Sequence, residues 1–509
     1  MNDRPNIVLI TSDQHRGDCF GFEGRKVKTP HLDRMAKEGT RFANCITPNA
    51  VCQPARASIL TGLLPRTNGV SDNGIDLDFD LGEKGFGRTL ANAGYKSGFV
   101  GKAHFSTHHT FEPTGTPECK SMIPELGADW FGPYMGFDHV ETMVLGHYAR
   151  TRPFPPPDAL HYERWLFDDG RGEDKVTMWQ THLTPDVEAP HTWNSGLPAT
   201  WHTSTWVGNQ SVRYIEQNKE EPFVLWASFP DPHTPFDSPE PWSRLHDPDE
   251  IDLPYHMERD FERRPWWHKQ SLEGTPQLED PILRKHRATY SRILPPDEKK
   301  MRHLIANYYG MISLIDHNVG RILTTLDEFG LSENTLVVFT ADHGEWLGDH
   351  GLLLKGPMLY DGLLRVGCIV NGPGVPADKV VDDPVSTLDL TSTFYDYAGV
   401  SDPMALNSRS MKGLIDGQDS RDFAFSEWDL RPSRTGVELD LRTARTPTAK
   451  LTYDEISEEG ELYNLADDPH EMDNLFNDPG YGILQSELMD MIKSRPEDAQ
   501  AKLEQVGMA

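Results

Sequence analysis

Three continuous apolar runs, each closed by polar or charged residues, limit most strongly how this chain folds. They are PNIVLITSD (Pro5–Asp13), PFVLWASFPDPH (Pro222–His233) and TLVVFTADHG (Thr335–Gly344). None alternates between apolar and polar residues as a half-buried strand does. A short run that is apolar throughout suits a parallel strand covered by helices on both faces. Helix signals separate the runs. TPHLDRMAKEGTRF predicts a helix over about His31–Glu38 stopped by Gly39, and PARASILTG one that starts at Pro54 and ends at Gly62. RTLANAGYKSGFVGKAHF reads as a short helix followed by a strand near Ser97–Val100. The stretch from Glu298 to Gly330 is a long amphipathic helix, and RVGCIVNGPG is a further strand. This alternation predicts an α/β fold, a large and mostly parallel sheet sandwiched by helices.

The character changes after Val380. RDFAFSEWDL, LRTARTPTAKLTYDEI and GELYNLADDPHEMDNL read as short antiparallel strands, and GILQSELMDMIKSRPEDAQAKLEQV as a closing helix. The expected organisation is a catalytic α/β domain over 1–380 and a smaller C-terminal α+β subdomain over 381–509. Prolines, tryptophans and charges are scattered from 145 to 296, including PPPDALHY and WWHKQ. That region reads as long loop insertions.

The net charge of -30, from 49 Lys+Arg against 79 Asp+Glu, excludes a nucleic-acid partner and disfavours anionic membranes. An anionic substrate must then be held by nearby cations or a metal, since salt screens distant carboxylates beyond about 10 Å. The apolar run Ile7–Ile10 is too short for a signal-peptide core, and no run is long enough to span a membrane. The five cysteines (Cys19, Cys45, Cys52, Cys119, Cys368) show no zinc or disulfide spacing. These features predict a cytoplasmic protein.

Several polar groups fall at predicted C-terminal strand ends, the edge where open α/β sheets bind ligands. They are Asp13 with Gln14, Lys102 with His104, His233, and Asp342 with His343. Asp13, Gln14, Asp342 and His343 form a mixed oxygen and nitrogen set suited to one divalent cation such as Ca²⁺, Mg²⁺ or Mn²⁺. Each pair taken alone is also an ordinary strand-end cap. NAVCQPARASILTGLLP places Cys52 beside a helix start, with Arg56 four residues on. The residues alone leave three readings: a buried thiol, a thiolate activated by the helix dipole and Arg56, or a precursor of another group. His108 and His109 in HFSTHHTF read as a solvated loop rather than a second metal site.

CQPAR fits Cys-x-Pro-x-Arg and is followed by ASILTGLLP. With NIVLITSDQ, TPHLDRMAKEGTRFANCIT, GYKSGFVGKAHF, FPDPHTPF, TLVVFTADHGEWLGDHGLLLKG and GELYNLADDPHEMDNL, it resembles the sulfatase family of the alkaline phosphatase superfamily over nearly the whole chain. The resemblance implies that a formylglycine-generating enzyme converts Cys52 to formylglycine, an aldehyde whose hydrate is the nucleophile. It further implies one divalent metal, Ca or Mn, held by Asp13, Gln14, Asp342, His343 and residue 52. Arg56 then holds the formylglycine oxygens, and Lys102 and Lys355 the sulfate oxygens. His233 is implied as the leaving-group acid or its partner, His104 as the base for hemiacetal breakdown, and Asn73 in GVSDNG as a neighbour of the anion. Gln14 and His343 resemble the branch of choline sulfatases and phosphonate monoester hydrolases. The Lys102-x-His104 pair resembles the sulfatases. The resemblance thus implies a sulfuric ester hydrolase, arylsulfatase-like, with a phosphonate monoester or phosphodiester hydrolase as the alternative. A homo-oligomer suits the long loops.

Overall fold

The computed structural model describes residues 4–143, 155–187, 189–290 and 292–508. The three apolar runs form β1 (Asn6–Ser12), β5 (Phe223–Ser228) and β6 (Thr335–Ala341), buried along their whole length. They lie in an eight-stranded sheet with β2 (Thr40–Phe42), β3 (Lys96–Lys102), β4 (His139–Met143), β7 (Cys368–Asn371) and β8 (Lys379–Val381). The strand order is β8-β2-β7-β6-β1-β5-β3-β4. β6, β1, β5, β3 and β4 are mutually parallel, and β7 runs antiparallel to both of its neighbours.

Successive side chains of a strand enter opposite cores. Ile7 and Leu9 of β1 join Trp226 and Val338 on one face, and Val8 and Ile10 join Leu225 and Phe339 on the other. Helices close both faces. α1 (Pro30–Glu38), α3 (Thr203–Asn218) and α4 (Glu298–Glu328) contribute Leu32, Trp206 and Ile315 to the second core. α2 (Cys52–Thr61) and α5 (Asp389–Ala398) contribute Ile59 and Phe394 to the first. No helix among the described residues is long and apolar enough to cross a membrane.

The 145–296 region is not only loops. It holds β5, α3 and the helices His161–Phe167, Gly172–Trp179, Trp266–Glu273 and Pro281–Thr289; Leu145–Phe154 lie outside the described residues. α3 escapes notice because TSTWVGNQSVRYIEQN is polar by composition. Its buried stripe through Val207, Ser211, Tyr214 and Ile215 still meets the sheet at helical spacing. WWHKQ opens a helix whose Trp267 is fully buried. HFSTHHTF is packed rather than solvated, with His108 buried and its Nδ1 on the Glu118 carbonyl at 2.8 Å.

A second, four-stranded antiparallel sheet starts at Ala424, with strands Ala424–Leu430, Leu439–Arg445, Ala449–Asp454 and Gly460–Asn464. The change in composition at 380 instead falls within β8, and the α5 segment between packs into the large core. The closing helix covers only Gly482–Lys493. Pro496 blocks its continuation. The tail then runs non-helical, with Gln500, Val506 and Met508 donating backbone N–H groups to Arg66, Gly74 and His109 carbonyls.

Buried histidines make the fold acid-sensitive, and His161 shows how. His161 Nδ1 accepts from the Thr142 N–H at 3.1 Å, and its Nε2–H donates to the Trp130 carbonyl at 2.8 Å. A second ring proton would face the Thr142 N–H. Burial pushes the His161 pKa down to about 4 from 6.5. Between those values the unfolded chain takes up a proton that the folded one refuses, so stability falls as pH drops from 6.5 to 4 and then levels. The loss from this group is about 3 kcal/mol. Chemical denaturation across that range should show a smaller loss for His161→Gln; an equal loss in both proteins would remove His161 from the account.

Candidate active site

Residues from four neighbouring strand ends meet at one edge of the large sheet. Ser12 of β1 pairs with Ala341 of β6, so Asp13 and Asp342 leave the sheet side by side. The Asp342 N–H donates to Ser12 O at 3.2 Å, and the Asp13 N–H to Asp231 O beyond β5 at 3.0 Å. β3 brings Lys102. The residue before it, Gly101, has φ +113°, and a Cβ there would collide with the Ser228 carbonyl of β5. Only glycine lets the two strands close at that point.

α2 points its N-terminus at this edge. Cys52 is its first residue, and Arg56 lies one turn on, on the same face. Arg56 is fully buried. Its Nε donates to Asp342 Oδ2 at 2.9 Å and its Nη2 to Asp13 Oδ2 at 3.4 Å. Its Nη1 donates to Lys102 O at 2.6 Å and Ser228 Oγ at 2.8 Å. The Cys52 sulfur lies 2.9 Å from Lys355 Nζ, 3.2 Å from His343 Nε2, 3.7 Å from Asp13 Oδ1 and 3.8 Å from Lys102 Nζ. His104 and His233 also face it. Asn73 stands one step behind, accepting the Gln53 N–H at the start of α2 at 3.0 Å. The structure therefore brings all the sequence-predicted residues to one place, with Asn73 on the helix end rather than on the sulfur.

The electrostatics follow from burial among unlike charges. Burial opposes ionisation of Cys52, but Lys102, Lys355 and His343 outweigh it and pull the thiol well below its ordinary value. Burial works the same way on Asp13; Lys102, His233 and Arg56 hold its carboxyl below the usual range despite that and despite Cys52. Asp342 goes the other way, raised by burial and by Asp13 next to it. Burial also pushes His104 and His233 down to about 4, so both rings are neutral near pH 7.

The donor set fits a divalent cation. Ligand atoms of Asp13, Cys52, Asp342 and His343 all lie within 4.8 Å of one another. His343 Nδ1–H donates to the Gly344 carbonyl at 2.8 Å, which turns its Nε2 toward Asp13 and Asp342, 3.8 Å from an oxygen of each. Gln14, in left-handed backbone conformation at φ 62°, donates its Nε2 to Glu345 Oε2. Burial pushes the Glu345 carboxyl up to about 7 from 4.5, and its ionised form accepts this bond from the amide nitrogen. The amide oxygen is left buried with no hydrogen-bond partner.

Two buried carboxylates that the sequence reading missed hold this arrangement. Glu345 also accepts the N–H groups of Leu347 at 3.1 Å and of Leu354, which precedes Lys355; both leucines have positive φ, 51° and 69°. Glu118 accepts the N–H groups of His104 at 2.5 Å and of Phe105 and Ser106 at 3.0 Å. Glu345 sits in the ADHGE run and was within reach of attention. Glu118, in a proline-rich loop, carries no signal.

Comparisons with known proteins identify the family. The sequence model of the Sulfatase family matches residues 5–400. The chain belongs to the sulfatase family. A second model, the C-terminal part of N-sulphoglucosamine sulphohydrolase, matches residues 348–498. An arylsulfatase of Clostridium perfringens is 29 % identical over 492 residues, covering 94 % of this chain and 91 % of its own. The multifunctional alkaline phosphatase superfamily protein PehA of Trinickia caryophylli is 27 % identical over 509 residues, covering 94 % and 93 %. Among solved structures, a phosphonate monoester hydrolase from Silicibacter pomeroyi superposes with TM-score 0.77 at 23 % identity, covering 98 % of this chain and 97 % of that one. The fold shared with that structure covers 98 % of this chain.

In Glu345→Gln the amide oxygen stays with the Leu347 and Leu354 N–H groups, so the atom facing Gln14 changes from an acceptor to an NH2 donor. Affinity for Mn²⁺ or Ca²⁺, titrated against an indicator dye, should fall about 10- to 100-fold. Unchanged affinity would mean that the Gln14 amide does not depend on Glu345.

Proposed function

We propose that this sulfatase hydrolyses sulfate monoesters with residue 52 as formylglycine and one divalent cation, Mn²⁺ or Ca²⁺. The observation that carries the reading is the position of Cys52 Sγ, between Lys355 and Lys102 on one hand and Asp13 and His343 on the other. As formylglycine, residue 52 supplies the hydrated aldehyde as a nucleophile where the thiol sulfur stands. Asp13, Gln14, Asp342 and His343 would hold the cation, which supplies positive charge that lowers the pKa of a neighbouring oxygen.

The chain's own residues do the rest. Lys102 and Lys355 bracket the sulfate oxygens and stabilise the charge that grows as the ester bond breaks. They work at full strength because both are buried. Arg56, fixed to Asp13 and Asp342, keeps residue 52 and its oxygens in line. His104, neutral at pH 7, accepts a proton from residue 52. His233 donates its Nδ1–H to the Thr234 carbonyl, so its other nitrogen reaches the site unprotonated and serves the leaving alcohol as the partner of a proton donor rather than as the donor itself.

Gln14 and His343 favour one second reading, a phosphonate monoester or phosphodiester hydrolase with the same machinery. Sulfate monoesters and phosphodiesters are both monoanions at a tetrahedral centre, so cross-activity is expected. All five cysteines are free, which suits a reducing cytoplasm. The long surface loops suit a homo-oligomer.

Two measurements test the proposal. Protein made together with a formylglycine-generating enzyme should yield a peptide around residue 52 with the mass of the aldehyde, and Cys52→Ala should abolish turnover. An intact thiol in fully active protein would overturn the formylglycine. Among aryl sulfates, aryl phosphonates and phosphodiesters, kcat/KM should be highest for a sulfate; a phosphonate preference by orders of magnitude would move the function to the second reading.

A further inference from the structure

Before conversion, Cys52 puts a soft donor at the centre of the site. Four atoms face one another there: Asp13 Oδ1, Asp342 Oδ1, His343 Nε2 and Cys52 Sγ. Sγ lies 3.2 Å from Nε2 and 3.7 Å from Asp13 Oδ1, and Nε2 lies 3.8 Å from each carboxylate oxygen. The other carboxylate oxygens are engaged elsewhere. Asp13 Oδ2 takes Lys102 and Arg56, and Asp342 Oδ2 takes Arg56. Asp342 Oδ1 is oriented by the Gln14 and His343 N–H groups that it accepts. In a tetrahedral zinc site, bonds of about 2.0 Å to oxygen and nitrogen and about 2.3 Å to sulfur set neighbouring donors about 3.3–3.6 Å apart. The four atoms stand close to that spacing, and three separate segments of the chain supply them.

Donor chemistry decides which ion fits. One thiolate, one imidazole and two carboxylates make a zinc ligand set, whereas Ca²⁺ and Mn²⁺ favour oxygen. Charge points the same way. Asp13, Asp342 and a Cys52 thiolate carry three negative charges against Arg56, Lys102 and Lys355, and Glu345 stands behind the Gln14 amide. A formylglycine hydrate in place of the thiolate removes one negative charge and the soft donor, and leaves oxygen. The competitor for zinc is Lys355. Its Nζ lies 2.9 Å from Sγ and 3.0 Å from Nε2, and a zinc ion would take the Nε2 lone pair that the ammonium now holds.

We propose that the unconverted chain is a zinc-binding protein. With residue 52 as cysteine, Asp13, Cys52, Asp342 and His343 bind Zn²⁺ through one thiolate sulfur, the thiol proton leaving to solvent. Conversion of residue 52 then turns the same pocket toward harder cations. The second half rests on the formylglycine reading above; the first does not.

The test uses the full chain made without the formylglycine-generating enzyme and stripped of metal. Titration with Co²⁺, a spectroscopic stand-in for zinc, should give a sulfur-to-cobalt charge-transfer band in the near ultraviolet. Stoichiometric Zn²⁺ should remove that band, and Cys52→Ser should lack it. The ratio of Zn²⁺ to Mn²⁺ affinity, from dye competition, should fall in Cys52→Ser and in converted protein by at least about 10- to 100-fold, the worth of even an outer-shell partner. X-ray absorption at the zinc edge needs no variant to fold. In the native unconverted chain it should show one sulfur at about 2.3 Å among oxygen and nitrogen neighbours. A zinc shell without sulfur, or no zinc bound at all, would overturn the proposal and leave the thiolate paired with Lys355. Zinc held by sulfur in protein that turns over sulfate esters unconverted would strike the formylglycine reading instead and leave the zinc site standing.

Discussion

The Arg56 guanidinium is the interaction on which the rest of the site depends. It reaches from the second turn of α2 to both carboxylates at the ends of β1 and β6, and to the Lys102 carbonyl and Ser228 hydroxyl at the ends of β3 and β5. One planar fork thereby fixes a helix N-terminus against four strands of the parallel sheet. Lysine has neither the geometry nor the donors for this. Taking Arg56 away would leave Asp13 and Asp342 side by side without their shared partner, a loss of about 3–5 kcal/mol for breaking a buried pair. Where the helix goes, residue 52 goes with it.

That arrangement concentrates charge where water does not screen it. Asp13 and Asp342 lie against Arg56, Lys102 and His343 with essentially no exposure, and Lys355 closes on Cys52 and His343. Each group's protonation is set by its neighbours rather than by solvent. Buried ion clusters of this kind are weak evidence for stability and better evidence for function. The strained residues point the same way: Gln14, His104, Leu347 and Leu354 all hold positive φ within or beside the cluster. Glu118 restrains His104, and Glu345 restrains Leu347 and Leu354, through backbone N–H groups, while Glu345 takes the side-chain amide of Gln14.

Much of this was legible in the sequence for a physical reason. A strand buried on both faces has to be apolar throughout, so β1, β5 and β6 stand out, and a polar residue at the end of such a run has few reasons to be there. The Cys52–Arg56 spacing is one helical turn, which made their shared face readable. The missed parts have physical reasons too. α3 hides its buried stripe among serine, threonine, asparagine and glutamine. The reversed direction of β7 depends on a connection, which hydropathy does not record. Glu118 and Glu345 do their work by accepting backbone N–H groups brought close by the tertiary fold, and a lone glutamate reads as surface.

The most direct test of the central claim, that this charge cluster is built around a divalent cation next to residue 52, is a crystal structure of the converted protein purified with Mn²⁺ and measured at the manganese absorption edge. The predicted result is one anomalous peak bounded by Asp13, Gln14, Asp342, His343 and residue 52. An ion bound elsewhere, with Asp13 and Asp342 satisfied by Arg56 and Lys102 alone, would contradict it.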